Sequence, residues 1–154
     1  MRGFKIILVG RIRKGFRQEA FDYYLKKTRK YTRAEISIIK DIKENNVPLR
    51  LEKEAGPILE RITPGDRIIA LDENGRLLSS KDFSTGFAGW DEDPGGVPCF
   101  VIGGPYGLSE KIRSRADLLM SLGPMTLPHE LAAVILMEQL YRAQTILKGH
   151  PYHH

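Results

Sequence analysis

The sequence predicts an α/β fold, a mostly parallel sheet with helices on both faces, and three observations lead there. Short β-branched runs alternate with longer segments of helical spacing along the chain, a pattern that feeds strands into one parallel sheet through helical crossovers. No long linker, low-complexity stretch or internal repeat interrupts the alternation. A length of 154 residues suits one domain, residues 1–154, able to bury roughly 70% of its unfolded surface without a metal or disulfide staple.

Each element has its own signal. Residues 4–9 (FKIILV) are a short apolar run ended by Gly10, and residues 35–42 (EISIIKDI) are β-branched and partly alternating, so both are predicted strands. Between them the spacing predicts a helix over 16–31, with Phe16, Ala20, Phe21, Tyr24, Leu25 and Tyr31 turned inward and the basic residues opposite. Pro48 suits the first turn of a second helix, in which Leu51, Ala55, Ile58, Leu59 and Ile62 recur at intervals of three and four until Pro64-Gly65 stops it. Residues 66–71 (DRIIAL) are a third strand, closed by the turn Asp72-Glu73-Asn74-Gly75. Ser79 or Ser80 caps a third helix carrying Phe83, Phe87 and Trp90, although Gly86 and Gly89 are weak helix formers. Residues 97–102 (VPCFVI) are a fourth strand, 109–114 a short helix and 118–122 a fifth strand. Pro128 opens a last helix running to about Leu147, apolar almost all round over Leu131 to Met137. Such a helix is enclosed on most sides, either within the monomer or by a second copy of the chain.

Composition narrows the setting. The single Cys99 sits in an apolar run and reads as a buried, inert thiol, which fits a reducing cytoplasm. No segment approaches the roughly 18 to 20 consecutive apolar residues of a membrane span, and Met1-Arg2-Gly3 leads straight into a strand rather than a signal peptide. The formal charge is +5, with the excess early in the chain at Arg11, Arg13, Lys14, Arg17, Lys26, Lys27, Arg29, Lys30 and Arg33. That stripe suits a polyanion or, more plainly, a solvated helix face.

The unusual residues cluster in the last third. In open parallel sheets ligands gather at the carboxyl ends of strands, where Leu71, Gly103 and Leu122 fall. Gly103-Gly104-Pro105-Tyr106-Gly107 is no dinucleotide fingerprint, because Ile102 stands where that motif needs Gly and Pro105 lacks a donor. It reads as a tight turn or as a loop whose backbone closely approaches a ligand. Leu122-Gly123-Pro124-Met125-Thr126-Leu127 is an irregular apolar loop suited to an adenine ring, or else an ordinary connection. Glu138 and Arg142 have the spacing of a helical ion pair that can orient the guanidinium toward a carbonyl or phosphate. His129 reads as a capping or packing residue at the helix start. The tail His150-Pro151-Tyr152-His153-His154 offers groups that stack on bases and exchange protons near neutrality, and no carboxylate or Cys is placed to complete a zinc set, so no metal is expected.

FVIGGPYGLS, SLGPMTLPHELA and EQLYRAQTILKGHPYHH, with the earlier VGRIRKGF, DYYLKK and LDENG, closely resemble the ribosomal RNA large-subunit methyltransferase H family, small members of the SPOUT methyltransferase class. The resemblance covers the whole chain. It implies a carboxy-terminal trefoil knot, an exception to the usual rule of unknotted chains, and a homodimer. It also implies methyl transfer from S-adenosylmethionine to N3 of a pseudouridine in the helix 69 loop of 23S rRNA, within the assembled ribosome. By the same resemblance the cofactor pocket falls on Leu71, Gly103, Leu122, Gly123, Pro124, Met125, Thr126 and Leu127, and Tyr152 and His153 help position the nucleotide; from their places in the tail and on the last helix, His153 or Arg142 is the group expected to stabilise the imide anion or accept its proton. The tail of one subunit is expected to reach the cofactor of the other, making the active site composite. Two departures touch the pocket: Tyr106 stands where the family commonly has Glu, and Gly123-Pro124 is an uncommon form of the apolar loop. The competing readings are a non-catalytic ribosome-binding protein that uses the basic face alone and a nucleotide-dependent enzyme.

Overall fold

Strands and helices alternate in the order β1 (Phe4–Val9), α1 (Phe16–Thr28), β2 (Ala34–Ile39), α2 (Val47–Arg61), β3 (Arg67–Leu77), α3 (Ser80–Glu92), β4 (Pro98–Ile102), α4 (Glu110–Arg115), β5 (Leu118–Ser121) and α5 (His129–Leu147). The computed structural model describes residues 2–154; Met1, where the expected direct entry into the first strand begins, lies outside them. The strands form one sheet in the order β2-β1-β4-β3-β5, every neighbouring pair parallel.

The interior strands β1 and β4 are apolar, apart from Lys5 at the start of β1, which pairs with Asp66, because both of their faces are covered. Phe4, Ile6, Leu8, Phe100 and Ile102 pack under α1, α3 and α5, while Ile7, Val9, Cys99 and Val101 pack with Ala55 and Ile58 of α2 and Ile112 of α4. Burial pushes the Cys99 thiol up to about 12, so it stays protonated and inert, as its sequence setting predicts. In α5, Ala133, Leu136, Met137 and Leu140 are fully buried, whereas Ile135 is 36% exposed and Leu131 and Val134 are half-buried. One side of this apolar helix is thus left uncovered by its own chain.

The expected elements are all present, with four differences. Phe16 opens α1 but is 66% exposed; the residues of α1 that the core covers are Phe21, Leu25 and Thr28, all further along the helix. Tyr31 lies past the end of α1, in a turn closed by its own N–H donating to Thr28. Strand β2 stops at Ile39, short of residue 42. The stretch Asp72-Glu73-Asn74-Gly75 does not close β3: Leu71 and Arg76 both align with Met120, so these residues bulge out and the strand resumes to Leu77. Gly75 permits this, since a Cβ there would lie 2.7 Å from the Leu119 carbonyl. The helix α3 runs through Gly86 and Gly89, capped by Ser79 accepting from the Asp82 N–H, and anchored by fully buried Phe87 and by Phe83. Packing of that aromatic face outweighs about 1 kcal/mol per glycine of lost propensity.

Candidate active site

Because every strand is parallel, the carboxyl ends of β3, β4 and β5 share one edge of the sheet, and a cleft of about 360 Å³ opens there. Its walls include Leu71 and the bulge Asp72–Asn74, the turn Gly103–Leu108, the loop residues Leu122, Gly123, Met125, Thr126 and Leu127, and His129 and Ala132 of α5. The volume falls in the range of small-molecule sites.

Each wall is held by local chemistry. Gly103 is buried, and a Cβ there would lie 2.4 Å from the Gly107 carbonyl oxygen, so the turn can fold back on itself only around glycine. The Gly107 N–H donates to the Gly104 carbonyl at 3.0 Å and closes it. Ser121, buried at the end of β5, donates to the Gly123 carbonyl at 2.8 Å and accepts from its N–H at 3.1 Å; its hydroxyl also lies 3.1 Å from the Glu73 carbonyl. Thr126 donates to the Glu73 carboxylate at 2.8 Å. The bulge and the 122–127 loop are therefore tied together across the mouth of the cleft. Asp72 pairs with Arg113 of α4 at 2.9 Å, placing both charge signs on the lining. On the outer side, the exposed Tyr106 ring lies under the Arg50 guanidinium at 5.1 Å. Arg50 is itself paired with Asp41 at 2.6 Å and with the buried Glu54 at 3.2 Å.

The tail forms a second cluster. Tyr152 packs edge-on against Tyr141 at 4.7 Å and under the Arg142 guanidinium at 4.8 Å, and its hydroxyl donates to Glu138 at 3.0 Å. The same Glu138 oxygen accepts from Arg142 Nε at 3.0 Å and Nη2 at 2.5 Å. Glu138 raises the pKa of Arg142, which stays charged. Burial, followed by hydrogen bonding with Tyr24 and Glu138, pushes the Tyr152 phenol well above its ordinary value, so the ring stays neutral. Arg142 Nη1 lies 3.3 Å from His153 Nδ1. A guanidinium has only donors, so Nδ1 must accept, which assigns the proton of a neutral His153 to Nε2.

The sequence-predicted residues thus divide into two groups. Leu71, Gly103, Leu122, Gly123, Met125, Thr126 and Leu127 converge on the cleft, while Pro124 is exposed at the bend of its loop and lines nothing. Arg142, Tyr152 and His153 converge on the far part of α5. At about 1.5 Å of rise per residue, Arg142 lies roughly 20 Å further along the helix axis than His129. One chain does not bring the two groups together. Sequence reasoning missed the cleft roles of Asp72, Glu73, Arg113 and His129. The readable signal for the first two was a polar DEN stretch beginning at a parallel strand's carboxyl end; Arg113 and His129 carried none.

Among the described residues no group of three or more His, Cys, Asp or Glu could hold a metal ion, and no helix is long and apolar enough to cross a membrane.

Comparison with known proteins adds the following. A family described as "Predicted SPOUT methyltransferase" matches residues 2–153. The chain is 41% identical, over 100% of its length and 99% of the relative's, to a protein of Maridesulfovibrio salexigens named ribosomal RNA large subunit methyltransferase H. It is 44% identical, over 100% of both chains, to a protein of the same name from Solidesulfovibrio magneticus. Among solved structures, a probable methylase family protein from Haemophilus influenzae aligns with a TM-score of 0.61 at 10% identity, covering 99% of this chain and 71% of that one. A putative methyltransferase from Legionella pneumophila, solved with bound SAM, aligns at 0.50 and 15% identity, covering 92% of this chain and 66% of that one. At such identities the structural likenesses concern the fold.

Proposed function

The chain belongs to the SPOUT methyltransferase family, and from that premise we propose that it is an S-adenosylmethionine-dependent methyltransferase of large-subunit ribosomal RNA. Its target on this reading is N3 of a pseudouridine in the helix 69 loop of 23S rRNA, in the assembled ribosome and in the cytoplasm. The names of its full-length relatives support the RNA class, and the SAM-bound neighbour of the same fold supports the cofactor.

The residues present suit that cofactor. An apolar wall from Leu71, Leu122 and Leu127 with backbone groups at hand fits an adenine ring, and the Asp72–Arg113 pair offers one partner for each charge of an amino-acid tail. When bound, the sulfonium supplies an activated methyl group. The protein then has to align N3 with the methyl and favour loss of the imide proton; alignment alone can contribute several kcal/mol, up to about 7–11 in ideal cases. Arg142, fixed by Glu138, places positive charge beside an imide oxygen where negative charge develops. His153 in the tautomer above donates from Nε2, so Arg142 stabilises the anion and His153 adds a hydrogen bond or, after breaking its contact with Arg142, takes the proton. Tyr152 is neutral and packed, and its role is to hold the tail in place.

The observation that carries the reading is the separation of cleft and tail cluster along α5. A site needing both is completed by a second copy, and the uncovered side of α5 at Leu131, Val134 and Ile135 is an apolar surface for that copy. On this reading the protein is a homodimer with the tail of one subunit at the cleft of the other, and its carboxy-terminal segment is threaded as the knot of the family. The test is methylation of purified ribosomes, subunits and bare rRNA with labelled S-adenosylmethionine, followed by mapping of the modified nucleotide. Label on the helix 69 pseudouridine of ribosomes is expected. Label on protein, or no binding of the cofactor by calorimetry, refutes it, and the latter leaves a non-catalytic RNA-binding protein.

A further inference from the structure

The loop between β1 and α1 is fixed in place, yet its cations and an aromatic ring face solvent. Ile12 is buried at 6% in the core beneath α1 and α5, and the Gly10 N–H donates to the Ile39 carbonyl at 2.8 Å. The nearly buried Glu130 carboxylate accepts from the Arg13 N–H at 2.7 Å and pairs with Arg17 at 3.3 Å. Arg11, Arg13 and Lys14 around this anchor are exposed, and among the described residues none has a carboxylate within ion-pairing distance. Beside them Phe16 is 66% exposed, with the Arg17 guanidinium 4.7 Å from its ring centroid. A large apolar ring kept in water by an anchored loop contributes little to folding.

Its position is informative. A Cβ on Gly10 would lie 3.2 Å from Nε2 of His129, which lines the cleft, and one on Gly104 of the cleft turn would lie 3.5 Å from Val9, the residue before Gly10. The loop therefore starts at the cleft wall and runs outward. Unpaired cations suit phosphates, and an exposed ring carrying a guanidinium suits an unstacked base; the combination is that of a single-stranded RNA surface.

We propose that the Arg11–Phe16 loop is an RNA-docking surface at the rim of the cofactor cleft, in which Arg11, Arg13 and Lys14 bind backbone phosphates and Phe16 stacks on an unpaired base near the target. Glu130 acts as a positioning residue that holds the loop against α5. This inference rests on the RNA-methyltransferase reading above.

The test measures methylation by the full chain with purified ribosomes over a range of salt, with cofactor affinity by calorimetry and mass by light scattering measured in parallel. In Phe16→Ala the ribosome KM is expected to rise about tenfold, as for loss of one base–aromatic stack, with cofactor affinity and mass unchanged, and Phe16→Trp is expected to restore it. Replacing Arg11, Arg13 and Lys14 by Gln is expected to flatten the logarithmic salt dependence of binding by about 2, at roughly 0.7 for each single-strand phosphate that is no longer neutralised. Unchanged KM and salt slope in both variants, while wild type methylates ribosomal RNA, overturn the docking surface alone. A fall in mass for Phe16→Ala with an unchanged salt slope in the triple variant overturns it too, making Phe16 a protein contact. Wild type that methylates no RNA overturns this proposal together with the reading it rests on.

Discussion

Replacing Glu138 by Ala separates the tail's role from the cleft's. One Glu138 oxygen accepts three hydrogen bonds, two from Arg142 and one from Tyr152, at 2.5–3.0 Å. Bonds to charged groups contribute about 1.5–3 kcal/mol when buried and exposed ion pairs about 0.2–1. With the Arg142 and Glu138 side chains 25% and 16% exposed, the set falls between these limits, at about 2 kcal/mol. Without Glu138 the guanidinium loses its orientation and the Tyr152 ring its polar anchor, so the tail populates other positions. If the ordered tail is what places the imide, the single-turnover methylation rate falls about 30-fold with ribosomes and cofactor saturating. Cofactor affinity is expected to change little, because Glu138 bonds to Arg142 and Tyr152, which serve the nucleotide, and to none of the residues that line the cleft of its own chain. The assay is rapid-quench methylation beside calorimetric cofactor binding. A rate within twofold of wild type, or a loss confined to cofactor affinity, contradicts the assigned role.

Three further outcomes are expected. Gly103→Ala forces a Cβ to 2.4 Å from the Gly107 carbonyl; the turn must open, and calorimetry is expected to show at least about a tenfold loss of cofactor affinity, with stability lowered by about 1–3 kcal/mol. Ser121→Ala removes a buried hydroxyl that both donates to and accepts from Gly123, and urea denaturation is expected to show a loss of about 1–2 kcal/mol. For Asp66, burial acts to raise the pKa, but hydrogen bonds from Lys5 at 2.7 Å and from Thr63 outweigh it and hold the carboxyl below its ordinary 3.8. A depressed carboxylate stabilises the fold above its unfolded pKa and loses that contribution as pH falls through the folded one. Asp66→Asn is therefore expected to lower the melting temperature at pH 7, and the difference from wild type is expected to shrink below about pH 4. A difference independent of pH sinks this assignment.

How much of this was readable from residues alone depends on whether local pattern decided the outcome. The interior strands were legible because FKIILV and PCFVI are covered on both faces and so are apolar but for Lys5. The bulge at Asp72–Gly75 was not, since a turn-forming tetrapeptide looks the same whether its strand ends or resumes. Only pairing with Met120 and Ser121 of β5 reveals the return. Phe16 fits the helical stripe by spacing, but spacing alone does not say which turns of a helix the core covers. The cleft loops were readable as strand-end loops, and the structure lines one cleft with them; Pro124, named with its loop by the family resemblance, is exposed and stands apart from that lining. The tail could not be located without the Tyr141 ring and the Glu138 carboxylate that capture it.

The proposed sharing of one active site between two chains is tested most directly by mixing two impaired variants, Gly103→Ala with a damaged cleft and Arg142→Ala with a damaged tail cluster, assayed at a cofactor concentration well below the weakened affinity of Gly103→Ala, where neither alone methylates appreciably. After subunit exchange, a mixed dimer with shared sites holds one site carrying both lesions and one carrying neither. Random exchange is thus expected to restore about a quarter of wild-type methylation. A site built within one chain leaves every site with a lesion, and no recovery after demonstrated exchange contradicts the composite active site.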